Sequence, residues 1–222
     1  FKRLLKNPKI VFVGVLSQFF LLPETTFLAI LVLEPHPSFA LGMILIAACP
    51  GGNVSNFFSK MAGGNAALSV SLTAFATLIC IGMTPFNLQF WGSLYGPTNE
   101  ILKTVKLNPV DLLKLVSLIL GIPLFFGMLI KHYRAAMAQK IESILKPLSM
   151  LVFIALIVIA FSQNLEVFFN HIHHVALLVI FHNIFAYILG YFTAKSFGLN
   201  LRDTKTIAME TGIQNGGLGL LL

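Results

Sequence analysis

Glu210 stands in "METGIQNGGLG" (Met209 to Gly219), an acidic residue followed by Gln214, Asn215 and a glycine pair inside an otherwise apolar run. A carboxylate in hydrocarbon costs about 3 kcal/mol or more on insertion scales, so such groups are paired or functional. No Lys or Arg lies at comparable depth, which leaves a bound cation or a proton as its partner. A second run, "AACPGGNVSN" (Ala47 to Asn56), sets Pro50, Gly51 and Gly52 beside Asn53, Ser55 and Asn56. In a third, "NAALSVSLTAFAT", Ser69, Thr73 and Thr77 recur every four residues and share one helix face. Oxygen donors alone favour a hard cation over a transition metal. By itself the Ser/Thr stripe is more often the mark of hydroxyls bonding back to their own helix. Gln18, in "VLSQFFLLPETTF", serves as well for a helix–helix bridge as for a ligand.

The two glycine-rich runs interrupt what would otherwise be continuous membrane helices. In hydrocarbon a freed backbone N–H or C=O costs several kcal/mol, so a break must be buried in protein or line a cavity. Half-helix N-termini at that depth suit an anion, and unwound carbonyls suit a cation. Glycine kinks at helix-packing contacts are the plainer reading. They leave Asn53, Ser55, Asn56, Glu210, Gln214 and Asn215 unexplained.

Composition supplies the setting. The 222 residues are 57% hydrophobic and 10% charged, against about 25% charged in soluble domains. Apolar runs of about 20 residues fit membrane helices, not the short alternating strands of a β-barrel. The fold class is therefore all-α: a polytopic transmembrane bundle in the lipid bilayer. Twelve of the fifteen basic residues fall before the first span or on alternate loops after it, and Lys103, Lys106 and Lys114 lie opposite. The positive-inside rule then puts the N-terminal end in the cytoplasm. The net charge of +7 reflects topology, not a nucleic-acid partner. Cys49 and Cys80, both in apolar runs, suggest neither a disulfide framework nor a metal site.

Seven spans are expected, over 9–33, 37–61, 65–90, 109–131, 144–162, 166–193 and 204–222, the second and the last broken. The stretch 132–143 reads as a short interfacial helix, and 91–108 as an extracytoplasmic loop. The abrupt ends read as those of a piece of a longer chain. Two widely separated broken segments point to an inverted-repeat secondary transporter with its site at mid-membrane.

"CPGGNVSNFFSKMAGGNAALSVSLT", followed far downstream by "HNIFAYILGYFTAKSFGL" and "ETGIQNGGL", resembles the bile acid:sodium symporter family. The resemblance implies ten spans in two inverted repeats, with two broken helices crossing at mid-membrane. This chain would then run from span three into span nine. Residues 1–90 (with the broken helix 37–61) and 163–222 (with the break at 209–219) would form a core domain, and 109–162 a panel domain. It implies two sodium ions and no organic cofactor. The first ion would bind Ser55, Asn56, Ser69, Thr73 and Glu210. The second would bind Gln18, Glu210, Gln214 and the carbonyls of Thr211 and Ile213. An organic anion (a bile acid, sulfated steroid or small carboxylate) would meet Asn53, Asn215 and Gly216. His182 and Asn183 match the family's His-Asn pair and are read as packing and hydrogen bonding. Glu24 departs from the pattern and reads as a residue of the outer mouth, roughly 9 Å beyond Gln18. His171, His173 and His174 read as a wet cluster at a loop edge.

The expected function is sodium-coupled symport of an organic anion by alternating access, with no obligatory protein partner. The alternative keeps the fold and lets Glu210 carry a proton. An intramembrane enzyme is disfavoured, since the polar groups are ligand-like and form no nucleophile-and-base pair. A channel suits two meeting breaks poorly.

Overall fold

Proline opens α1 (Pro8–Leu33) in the first turn, where its missing N–H goes unused. The structure, a computed structural model, describes residues 7–104 and 109–221. Within them it describes all side chains except those of residues 53, 109, 112, 146, 150, 153, 167, 171, 173, 174, 220 and 221. Midway along α1 a π turn, Ser17–Leu21, lets the Leu22 N–H reach the Ser17 carbonyl. Pro23 is the cause, because it has no N–H to offer the Phe19 carbonyl one turn back. Asn87 Nδ2 donates to that carbonyl at 2.9 Å. Trp91 Nε1 in turn donates to Asn87 Oδ1 at 3.2 Å. The turn leaves Ser17, Gln18 and Phe19 buried.

The chain continues through α2 (Pro37–Ala48), α3 (Asn53–Met61), α4 (Ala66–Leu94) and α5 (Gly96–Thr104). Then come α6 (Pro109–Val116), a second π turn (Ser117–Gly121), α7 (Ile122–Tyr133) and α8 (Ala135–Gln163). Last are α9 (Leu165–Ser196), α10 (Leu201–Gly212) and α11 (Gly216–Leu221). Among the described residues there is no strand, so the bundle is all-α. Among the described residues five helices are long and apolar enough to cross a membrane: Pro8–Leu33, Ala66–Leu94, Leu113–Tyr133, Ala135–Gln163 and Val175–Ser196. The two other expected spans are the broken pairs α2/α3 and α10/α11.

Two expectations change. The loop expected over 91–108 contains α5, where Thr98 Oγ1 donates to the Gly92 and Tyr95 carbonyls at 2.6 and 2.9 Å. The stretch 132–143 makes no separate helix. Only Arg134 interrupts, and Ala135–Gln163 runs on unbroken, because Ala, Met, Gln, Lys, Ile and Glu include the strongest helix formers.

The chain folds as two compact units, Phe1–Val116 with Ile180–Leu222, and Ser117–Val179. In the second, Phe125, Leu151, Val158 and Phe169 are all more than half exposed, as residues facing an apolar solvent would be. In the first, Val13, Leu72, Ala194 and Ile207 form one buried cluster, and Ile30, Ala40, Ile44 and Leu88 another toward the far end of α1. α3 is amphipathic in reverse. Its Ser55 and Ser59 are fully buried, while Val54, Phe57, Phe58 and Met61 are exposed. Polar inside and apolar outside is the arrangement that lipid rewards and water penalises.

α9 crosses α10 at Gly190. A methyl group there would lie 2.8 Å from Thr211 Cβ and 3.0 Å from Ala208 Cα. Gly190→Ala is therefore expected to cost about 1–3 kcal/mol by overpacking, measured as a lower unfolding midpoint in detergent. An unchanged midpoint would show that the crossing yields.

Candidate functional site

The two breaks complete each other. After α2, Cys49 (φ −78°, ψ 152°) and Gly52 (φ −122°, ψ −174°) are extended, and so is Ile213 after α10 (φ −117°, ψ 92°). The extended pieces meet as an antiparallel bridge, Gly51 opposite Gln214. The Asn215 N–H donates to the Pro50 carbonyl at 2.8 Å, and the Gly51 N–H donates to Gln18 Oε1 at 3.2 Å. Backbone groups freed by each break thus find partners in the other break or on α1, as burial demands.

Beside this bridge lies Glu210, fully buried on α10. Its Oε1 accepts from Ser55 Oγ at 2.9 Å and from Ser69 Oγ in a short hydrogen bond. Its Oε2 accepts from Thr73 Oγ1 at 2.9 Å. Asn56 Oδ1 faces the same two α4 hydroxyls, 2.8 Å from Ser69 Oγ and 3.0 Å from Thr73 Oγ1. Asn65 and Asn200 set the starts of α4 and α10: Asn65 Oδ1 accepts from the Leu68 N–H at 3.2 Å, and Asn200 Oδ1 from the Asp203 N–H at 3.0 Å. These caps fix where along each helix Ser69, Thr73 and Glu210 fall. The five residues expected around a first ion, Ser55, Asn56, Ser69, Thr73 and Glu210, therefore come together from three helices.

A hydroxyl has one proton to donate. Ser55 Oγ faces both Glu210 and the Gly52 carbonyl (2.5 Å), while Ser69 and Thr73 each face both Glu210 and Asn56. Every hydroxyl of the cluster is one proton short. The carbonyl of Asn56 makes the count short at Ser69 and Thr73; an amino group in its place would bring two protons.

The residues expected around a second ion lie about Gly51. Gln18 is hydrogen-bonded to it and Gln214 pairs with it. A methyl group on Gly51 would sit 2.6 Å from Glu210 Oε2. Gln214 Nε2 donates to the Thr211 carbonyl at 2.6 Å, and its Oε1 is buried without a hydrogen-bond partner. Ile213 closes α10, its own N–H bonded to the Met209 carbonyl. The sequence reading missed Ser17, whose Oγ lies 2.9 Å from Thr211 Oγ1, both fully buried. Its place beside Gln18 was the available signal.

Of the residues expected to meet substrate, Asn215 accepts the Leu218 N–H on Oδ1 at 3.3 Å, and Gly216 is exposed. The side chains of Asn53, His171, His173 and His174 lie outside the described residues. His182 Nε2 pairs with Thr26 Oγ1 at 2.8 Å, and Glu24 is exposed. Thr77 does not join the cluster; it bonds back to the Thr73 carbonyl at 2.8 Å. Cys49 and Cys80 are buried free thiols, and the described residues hold no metal-binding group of His, Cys, Asp or Glu. A sealed carboxylate ringed by hydroxyls can hold charge. Ser55, Ser69 and Glu210 are at 0% exposure, while Asn56 and Thr73 are partly exposed.

Residues 1–171 match the Sodium Bile acid symporter family. The chain is 30% identical over 222 residues to the uncharacterized sodium-dependent transporter YocS of Bacillus subtilis, covering all of this chain and 66% of the relative. It is 28% identical over 218 residues to the probable sodium/metabolite cotransporter BASS1, chloroplastic, of Arabidopsis thaliana, covering 98% and 52%. To sodium/bile acid cotransporter 5 of Rattus norvegicus it is 30% identical over 219 residues, covering 98% and 49%. The chain thus spans about half to two thirds of the length of these relatives. An integral membrane bundle with this match, the chain belongs to the sodium bile acid symporter family, a family of transporters and not of enzymes.

Proposed function

We propose that the protein is a sodium-coupled symporter of an organic anion, working by alternating access, with one sodium ion among Ser55, Asn56, Ser69, Thr73 and Glu210. The convergence of oxygen atoms from three helices on a buried carboxylate that has no Lys or Arg partner carries this reading. Ser55, Ser69 and Thr73 each face two acceptors, and a cation in their midst turns repelling lone pairs into ligands. A proton on Glu210 would fill one gap and leave the others, so titration of Glu210 explains the cluster less well. A second ion would use Gln18, Glu210, Gln214 and the Thr211 and Ile213 carbonyls. The unpartnered Gln214 Oε1 supports it.

The substrate would lie in front of the crossing, near Asn53, Asn215 and Gly216. There α3 begins at Gly52 without a side-chain cap, leaving N–H groups for an anion. The relatives' names suggest a bile acid or another metabolite; a sulfated steroid or small carboxylate has the same charge. The basic loops support a cytoplasmic N-terminal end. Sodium and substrate affinities are then reciprocally coupled.

Uptake of labelled anions into proteoliposomes tests the proposal. Replacing external sodium by choline should abolish it, and uptake unchanged by that replacement would sink it. Ser69→Ala with Thr73→Ala separates the carriers. A sodium symporter should lose uptake, whereas a proton carrier with Glu210 intact should keep most of it.

A further inference from the structure

An ion bound at Glu210 needs a way in and out, yet Ser55, Ser69 and Glu210 are all sealed from solvent. The polar stripes of the three helices continue past the site toward the basic loops. Ser59 follows Ser55 by four residues on α3, Asn65 precedes Ser69 by four at the start of α4, and Thr206 precedes Glu210 by four on α10. Four-residue spacing keeps each pair on one face, about 6 Å apart along the axis. These residues meet as a second polar layer. Ser59 Oγ donates to Thr206 Oγ1 at 3.1 Å and the Asn65 N–H donates to it at 2.8 Å, while Thr206 Oγ1 lies 3.1 Å from the Arg202 carbonyl.

Beyond that layer is a carboxylate. Asp203, 6% exposed, accepts from Asn65 Nδ2 at 2.8 Å and from Asn200 Nδ2 at 2.6 Å. The nearby Lys205 ammonium is engaged elsewhere, on the Ala62 carbonyl at 2.9 Å. The turn between α3 and α4 closes the column. Gly63 turns left-handed (φ +73°), and a methyl on Gly64 would lie 2.8 Å from Thr206 Oγ1 and 2.9 Å from the Ser59 carbonyl. Ser59 and Thr206 are both fully buried, in a bundle whose α3 turns its aromatic side chains outward. Apolar residues would fill that axis at less cost in desolvation.

We propose that this column, Ser59, Thr206, Asn65 and Asp203, is the path by which the ion at Glu210 exchanges with the basic side of the membrane. The turn over 63–65, pinned by Asp203, is its gate. The proposal rests on the sodium reading above.

Groups along a path set the height of a barrier; groups at the site set the depth of the well. A column variant should therefore slow sodium entry and release together and leave the equilibrium constant in place. The experiment uses the full chain in detergent, with radioactive sodium measured at equilibrium and in rapid dilution. Thr206→Val removes the hydroxyl and keeps the shape. Sodium release is expected to slow about tenfold, with Kd changed by no more than about twofold. Ser59→Ala should do the same with nothing added, and Thr206→Ser should restore the wild-type rate. A Kd shift as large as the change in rate would overturn the route and make these residues supports of the site. Wild-type release rates in both Thr206→Val and Ser59→Ala would also overturn it, since the ion would then leave elsewhere. Wild-type protein that binds no sodium would instead refute the sodium reading itself.

Discussion

Glu210→Gln is expected to abolish sodium-driven uptake while leaving a protein that is folded and at least as stable in sodium-free buffer. The substitution keeps shape and removes charge. Glu210 is fully buried, and its contacts are to the hydroxyls of Ser55, Ser69 and Thr73, with no Lys or Arg among them. Burying an ion without a counter-charge costs several kcal/mol, so the ion-free protein tolerates the carboxylate and gains nothing from it. Wild-type protein should be stabilised by sodium through mass action, by about 2.7 kcal/mol at a concentration one hundred times Kd for a single site. That increment should vanish in Glu210→Gln. Thermal unfolding with sodium against choline measures both quantities at once. A variant that is much less stable without sodium, or that keeps the sodium increment, would make Glu210 a structural group.

Adjacent glycines should answer in opposite ways. A methyl on Gly51 would fall 2.6 Å from Glu210 Oε2 and 2.8 Å from the Glu210 carbonyl. The first can swing away, but the second is backbone, so α10 must shift. Gly51→Ala is expected to lose transport and about 1–3 kcal/mol of stability. A methyl on Gly52 would meet Asn215 Cβ at 3.5 Å, an ordinary contact, in an extended conformation open to any residue. Gly52→Ala should stay within about 1 kcal/mol, the range of a substitution that breaks nothing. Uptake and midpoint for the pair decide the matter. Equal effects would mean that the break needs flexible glycine and not close approach.

Which parts were legible follows from what each part depends on. Proline, glycine and four-residue spacing are local signals, so the two breaks and the polar residues Ser55, Asn56, Ser69 and Thr73 were readable along the chain. Periodicity alone cannot say which hydroxyls look inward and which bond to their own helix. Thr77 shares the stripe and turns back to Thr73. The π turn in α1 needed two distant facts, the missing N–H of Pro23 and the amide of Asn87. Gln18 reads as a ligand or as a bridge until Gly51 is beside it. Thr206 and Asp203 went unremarked because a residue near a basic loop reads as solvated, although both are buried. Helix propensity, not polarity, decided 132–143.

The pairing of Gly51 with Gln214 also bears on how the chain is made. Pro50 leaves the ribosome more than 160 residues ahead of Asn215, the residue that satisfies its carbonyl. Until then the Pro50 carbonyl sits at membrane depth unanswered, at a cost of several kcal/mol. Contacts so far apart in sequence form slowly. The earlier half must therefore wait, hydrated or held by an insertion partner, in a state prone to misassembly. Each break is a defect alone and a structure only in company, so closure of the crossing is set by arrival of α10 and α11.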